Sequence, residues 1–224
     1  NLNRFDISLF NEAIGKDVGV KGIATGIVQL TSPMKEKGLL IDMICDSTYI
    51  ASAPLGVVTV GSRWNETDQN FDVFIRNELE NRNNLNIYGT FAPRNNHIDA
   101  IAQLDSMRVD YLQPLLTDVF STLNGRVSGS LDISGPPSRL KIKSSDTRLD
   151  EGLFRIAYTN VPYHINGPFH IDHTGVYFDD ISIKDDYTGT GSLTGSINWD
   201  HFKNMRFNTH ISINEIEGIN LDEE

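Results

Sequence analysis

From Arg126 onward, apolar and polar residues alternate with a period of two. Val127, Gly129, Leu131 and Ile133 fall on one face of Arg126 to Ser134, and Arg126, Ser128, Ser130, Asp132 and Ser134 fall on the other. Side chains of an extended chain point alternately to opposite faces, so this pattern predicts a strand with one buried face. Leu140 and Ile142 alternate in the same way with Arg139, Lys141 and Lys143. The pattern returns in Phe154, Ile156 and Tyr158, in Val161, Tyr163 and Ile165, and in Phe169 and Ile171. Val176 and Phe178 open another strand, whose register shifts across Asp179-Asp180 before Ile181 and Ile183, predicting a bulge or turn there. Two longer strands follow, with Gly191, Leu193, Gly195, Ile197 and Trp199 inward in one and Met205, Phe207, Thr209, Ile211 and Ile213 inward in the other.

The first half carries the same signal less cleanly. Gly22 to Leu30, Gly38 to Cys45, Val57 to Val60, Phe71 to Ile75, Leu85 to Phe91 and Ile98 to Leu104 read as strands, separated by turns such as Ser32-Pro33, Asn65-Glu66 and Asn83-Asn84. GIATGIVQL, Gly22 to Leu30, is echoed by GRVSGSLDI, Gly125 to Ile133, at an offset of 103 positions, which fits two successive units. Between the halves, Leu112, Leu115, Leu116, Val119, Phe120 and Leu123 recur at i, i+3, i+4, i+7, i+8 and i+11, one apolar stripe at helical spacing. With Asp110 as N-cap, Pro114 in the first turn and Asn124-Gly125 as the stop, they predict an amphipathic helix over Tyr111 to Leu123. The expected organisation is a first strand-rich unit over 1–110, this helix over 111–123, and a second strand-rich unit over 124–224. Each strand of the second unit has one apolar face. The sheet must therefore fold on itself, close into a barrel, or hold an apolar guest.

Composition agrees: the hydrophobic fraction is 39%, with 18 glycines, which suits many strands joined by tight turns. A net charge of -11 opposes binding to the phosphate backbone of nucleic acid and to an anionic membrane surface. The single cysteine, Cys45, permits no internal disulfide. No apolar run of about 18 residues is long enough to cross a bilayer as a helix. The start at Asn1 and the acidic end Asp222, Glu223 and Glu224 read as those of a piece excised from a longer protein.

His164, His170 and His173 have a loose ligand spacing, but the first two fall on the polar faces of separate strands. Asp179, Asp180, Asp185 and Asp186 lack the Gly and Glu positions of an EF-hand loop. Gly189, Gly191 and Gly195 continue as a strand, where a phosphate loop needs a helix N-terminus. No serine sits in a nucleophile elbow. The sequence therefore predicts no catalytic residue, no metal site and no cofactor.

Three stretches carry a resemblance: YLQPLLTDVFSTLNGRVSGSLDISG from Tyr111, PSRLKIKSSDTRLDEGLFRIAYTNVPYHINGPFHI from Pro137, and DDYTGTGSLTGSINWDHFKNMRFNTHISI from Asp185. Together they resemble the translocation and assembly module subunit TamB family in its Bacteroidetes-type form, over roughly Leu85 to Leu221. The shared features are the Leu-Asn-Gly after the expected helix, the Asp-x-x-Gly-x-Gly-x-Leu-x-Gly-x-Ile strand, and the His-Phe leading into the next strand. The chain departs from the family at Ser138-Arg139-Leu140-Lys141-Ile142, where a glycine is common.

The resemblance implies an inner-membrane-anchored protein of a diderm bacterium that stretches through the periplasm. Its fold would be an all-β, elongated, folded-over sheet, a β-taco or open barrel, related to AsmA-like and bridge-like lipid transporters. Its partners would be phospholipid acyl chains and an outer-membrane protein of the Omp85 class. In this reading the trough is lined by Val127, Leu131, Ile133, Leu140, Ile142, Phe154, Ile156, Tyr163, Ile165, Phe169, Ile171, Leu193, Ile197, Phe207 and Ile211, with the helix stripe as a plug. Two other classes are weighed beside it. One is a chaperone-like scaffold pairing an edge such as Thr190 to Trp199 with an incoming strand. The other is a glycan-binding sheet, which needs aromatics on an exposed face, whereas here they are expected to face inward.

Overall fold

The computed structural model describes the chain except residues 10, 12–18, 32–37, 118, 188, 201–202 and 215–224. The turn expected at Ser32-Pro33, the His-Phe pair and the acidic end lie outside the described residues. Thirteen strands are described: β1 (Leu2–Asp6), β2 (Lys21–Thr31), β3 (Gly38–Ile50), β4 (Ala53–Asn65), β5 (Asn70–Glu78), β6 (Leu85–Ala92), β7 (His97–Arg108), β8 (Phe120–Gly135), β9 (Lys141–Ile156), β10 (Pro162–Asp172), β11 (Gly175–Lys184), β12 (Thr190–Asp200) and β13 (Lys203–Asn214). They follow one another in one all-β sheet in which spatial order equals chain order, and the registers described are antiparallel throughout. Antiparallel neighbours need only short turns between them, which the Gly, Asn, Asp and Ser clusters of the sequence supply. Two compact units are distinguished: Asn1–Asp105 with Asp132–Lys141, and Ser106–Leu131 with Ile142–Glu224. The tip of the β8–β9 hairpin thus groups with the first unit.

The expected thirteen-residue helix is not formed. Val109–Leu112 is a 3-10 turn and Gln113–Leu116 a single α-turn, while Phe120 and Leu123 belong to β8. Pro114 sits in the first turn and blocks any extension upstream, because it lacks an amide donor and clashes with a preceding turn. Downstream, Thr117, Val119, Phe120 and Thr122 are β-branched or aromatic, poor helix formers that suit a ladder. A helix this short is marginal alone, so the strand wins.

In the first unit, successive registers place cross-strand partners on a common face. One row runs Gly26, Met43, Val60, Ile75, Ile87 and Ala102. A parallel row runs Val28, Ile41, Ser62, Val73, Gly89 and Ala100, and a third Trp64, Phe71, Phe91 and Ile98. Phe71 meets Trp64 edge-on at 4.8 Å and stacks on Phe91 at 6.4 Å, geometries that add to the burial of the rings. At the end of this face Asn77 is fully buried, its amide donating to the Leu55 carbonyl (2.9 Å) and its oxygen accepting from the Leu85 amide (2.6 Å). A buried amide so satisfied pins the register of β4, β5 and β6 without the cost of an orphaned polar group.

In the second unit the rows are Gly152, Ile165, Ile183, Gly191 and Ile213, and Ser144, Ile171, Val176, Ile197 and Phe207. Between them lie Thr147, Phe169, Phe178, Gly195 and Thr209. The shift read at Asp179-Asp180 is present: the register breaks between Phe178 and Ile181, and Asp180 has φ 56°. The same bulge shifts the β10–β11 register between Asn166 and Phe169, and β9 carries two more, one of them at Glu151 with φ 53°. Bulges bend a strand and raise its twist, so three on the two strands flanking β10 crease the sheet. The consequence is visible at Ile181, which is only 1% exposed. A flat single layer cannot bury a side chain that far; here the cover comes from the same face, with Val109, Leu123, Leu149, Ile165 and Ile183 forming one cluster with it.

The two units share an order of parts at an offset of 100 to 103 residues. Arg4 and Ser106, both at φ 53°, precede by three residues the buried Ile7 and Val109, each of which opens a 3-10 turn. The Asn11 amide then donates to the Val20 carbonyl (3.0 Å), as Gln113 does to Phe120 (2.8 Å). Gly22 and Gly26 (φ +157° and +155°) correspond to Gly125 and Gly129 (φ +139° and +140°), and six strands follow in each case, counting the strand that carries the glycines. A Cβ would lie 2.7 Å from the Met43 Cα at Gly26 and 2.8 Å from the Thr147 Cα at Gly129. At Gly26 and Gly129 the neighbouring backbone thus leaves no room for a Cβ.

Candidate functional site

The apolar face of the second unit runs from packed to open across its strands. Ile165, Ile181 and Ile183 are buried, and Val127, Phe154, Tyr163, Phe169, Phe178 and Leu193 are half-buried against them. Beyond them Leu193, Ile197 and Ile171 remain half-exposed, and Phe207, Ile211 and Ile213 on β13 are 49%, 51% and 59% exposed. The accessible apolar surface of this unit therefore lies along β12 and β13, while the centre is filled by its own side chains.

Most of the residues expected to line a trough share this face. Phe154, Tyr163, Ile165, Phe169, Ile171, Leu193, Ile197, Phe207 and Ile211 fall in the cross-strand rows, and Val127 and Phe154 reach the cluster. Leu131, Ile142 and Ile156 are half-buried. Ile133 and Leu140 are half-buried too but group with the first unit, and Leu140 precedes β9 rather than lying in it. Tyr158, read as a strand residue, stands in a turn, 93% exposed, and Val161 is fully buried just before β10.

The two bulges on β9 explain what simple alternation missed: they bring Thr147 and Leu149 to the inward face, 1% and 5% exposed. Of the helix stripe, Leu116 and Phe120 pack against the cluster and Leu123 is inside it, Val119 is half-buried, and Leu112 is 49% exposed. The side chain of Leu115 lies outside the described residues. Phe120 packs edge-on against Phe154 at 5.4 Å, so the corner still covers the core, though as two short turns and a strand end.

Sequence reasoning named no face in the first unit, yet the structure has one. Ile41, Met43, Val60, Val73, Ile75, Ile87 and Ile98 are half-exposed along its rows, over a floor of Ala24, Val58, Phe71 and Ala102 that is buried. The signal was present as alternation in Ile41, Met43 and Cys45 and in Phe71, Val73 and Ile75. Apolar residues on the opposite face, such as Ile44, Phe74 and Tyr88, blurred it.

Polar chemistry is structural where it is described. His164 faces Asp186 at 2.8 Å, exposed to solvent, and His170 stacks on Tyr177 at 4.8 Å. Asp185 accepts the Tyr187 and Gly189 amides of its turn, both at 2.9 Å. At the β10–β11 turn, burial raises the Asp172 carboxyl, but bonds from the Thr174 side chain and amide and from the Gly175 amide outweigh it and hold the group below the usual carboxylate range. Among the described residues no group of three His, Cys, Asp or Glu side chains is placed to hold a metal ion, and no helix is long and apolar enough to cross a membrane. Thr190 to Trp199 is not an edge, since β12 pairs with β13 along its length.

These features define an all-β meander built of two similar units, each with one apolar face left partly open. No protein-family model, curated protein or solved structure matches the chain.

Proposed function

We propose that this chain is part of a TamB-like protein of outer-membrane biogenesis, and that its apolar faces carry phospholipid acyl chains between the inner and outer membranes of a diderm bacterium. The observation that supports this most is the row structure: in each unit, apolar side chains line up strand after strand on one face and stay half-exposed. An acyl chain laid along such rows leaves water at about 0.8 kcal/mol per methylene, so covering eight methylenes is worth about 6 kcal/mol. Because neighbouring positions are alike, the chain slides without a deep minimum, and a charged headgroup stays in water at the rim. The chemistry is solvation, with no bond made. The family resemblance adds the periplasmic setting and an Omp85-class partner.

Organic extraction of the purified chain, followed by lipid mass spectrometry, is expected to recover diacyl phospholipids in near-stoichiometric amount. Recovery of none from protein purified without detergent excludes this reading. Protein strands bound along β13, whose residues Arg206 to Asn214 are all exposed, would replace it by the chaperone-like one.

A further inference from the structure

We infer that the face of the first unit opposite its apolar rows docks a cationic amphipathic helix of a partner protein. On that face Ile27, Asp42, Gly61, Phe74, Tyr88 and Ile101 are successive cross-strand partners. Ile27, Phe74 and Tyr88 are 42%, 41% and 42% exposed, and Ile44 beside them 47%. The Phe74 ring lies over Gly61: a Cβ there would be 2.2 Å from a ring carbon. Only glycine lets the ring lie on the sheet, so the platform is built into the backbone.

The fold itself does not require this row. On the corresponding face of the second unit, with the same strand order, the partners are Leu153, His164, Lys184, Thr190 and Asn214, of which only Leu153 is apolar, and Asn166, Ser182, Ser192 and Ser212. In a third row, His170, Tyr177, Ser196 and Asn208, the Tyr177 ring is half-buried and covered by the His170 ring, nearly parallel at 6°. The second unit thus serves as a control for what a polar version of the same face looks like. Single exposed apolar residues need no explanation, but Phe74, Tyr88 and Ile101 side by side, with Ile27 and Ile44 beyond Asp42 and Gly61, form a patch framed by polar residues, which marks an interaction site.

Charge selects the occupant. The exposed carboxylates of Asp42, Asp46, Asp72, Glu78 and Asp99 on this face outnumber the cationic groups of Lys21, Arg63 and Arg76, the last of which lies over the Phe74 ring at 5.9 Å. A second copy of a chain carrying -11 is repelled, and so is an anionic bilayer. A row crossing six strands at about 4.8 Å spacing is about 24 Å long, which matches about 16 residues of α-helix at 1.5 Å each. A helix with apolar residues at i, i+3, i+4 and i+7 and Lys or Arg flanking them meets both demands.

The probe is a synthetic 18-residue helix with leucine on one face and lysine on the others, labelled and titrated against the whole chain by fluorescence anisotropy. Phe74→Ser with Tyr88→Ser is expected to weaken binding at least tenfold, and Asp42→Asn with Asp72→Asn severalfold, while Tyr177→Ser leaves it unchanged. All variants are compared at equal circular dichroism, and the charge pair, on exposed positions, stands if the aromatic pair unfolds. Equal binding by every folded variant means adsorption to net charge and overturns the proposal. So does a glutamate version of the helix binding as well, a dimer of the chain that Phe74→Ser dissolves, or capture of anionic vesicles through the same residues.

Discussion

Ile181→Ala is expected to remove about 3 to 4 kcal/mol of stability, and Ile213→Ala no more than about 1 kcal/mol. Both are isoleucines on the apolar face of the second unit, but Ile181 is 1% and Ile213 59% exposed. Truncating a fully enclosed aliphatic side chain loses its transfer free energy and leaves a cavity, which together come to about 2 to 5 kcal/mol. At Ile213 the atoms removed were largely in water already, and no cavity forms. Urea unfolding followed by tryptophan fluorescence reads the difference, with Trp199 reporting on the second unit. Equal losses at the two positions would mean that the crease at β9, β10 and β11 does not enclose Ile181.

Phe207→Asp is expected to leave stability within about 1 kcal/mol, because the ring is 49% exposed and exposed positions tolerate polar residues. Its effect falls on the lipid. Phe207 ends the row of Ile171, Val176 and Ile197, and an acyl chain crossing it would have to strip water from a carboxylate, at a cost of several kcal/mol. Lipid recovered with the purified protein should fall at least tenfold, and the full protein carrying Phe207→Asp or Ile197→Asp should no longer support lipid transport. Unchanged lipid content in a folded Phe207→Asp protein removes this row from the pathway.

Strand identity was legible in the sequence wherever one face was uniformly apolar. β12 and β13 alternate without interruption, and both appear where the period of two put them. The bulge at Asp179-Asp180 was legible too, because a skipped beat in the alternation has few other causes. The bulges on β9 were not, because between Ile142 and Phe154 only Leu149 and Leu153 are large apolar residues, too few beats to show where one is skipped.

The helix failed for a different reason. A stripe at i, i+3 and i+4 over Leu112 to Leu123 satisfies helical geometry, but periodicity carries no information about β-branched propensity or about the ladder that β8 gains from its neighbours. The β1 strand went unread because its five residues, LNRFD, are too short and mixed for any pattern. The apolar face was legible in the second unit and not in the first, where Phe74 and Tyr88 place aromatics on the face opposite the apolar rows.

The central claim is that the apolar rows contact lipid and, in the second unit, the polar face behind them does not. Ile197 and Thr194 lie three residues apart on β12, Ile197 half-exposed in the apolar row and Thr194 exposed on the opposite face, paired with His210. A photo-crosslinking amino acid at each position, irradiated in the presence of radiolabelled phospholipid vesicles, compares the two faces of a single strand. Label is expected on the protein substituted at Ile197 and at background level on the one substituted at Thr194. Equal labelling of both, or labelling at Thr194 alone, would contradict a lipid path along the apolar rows.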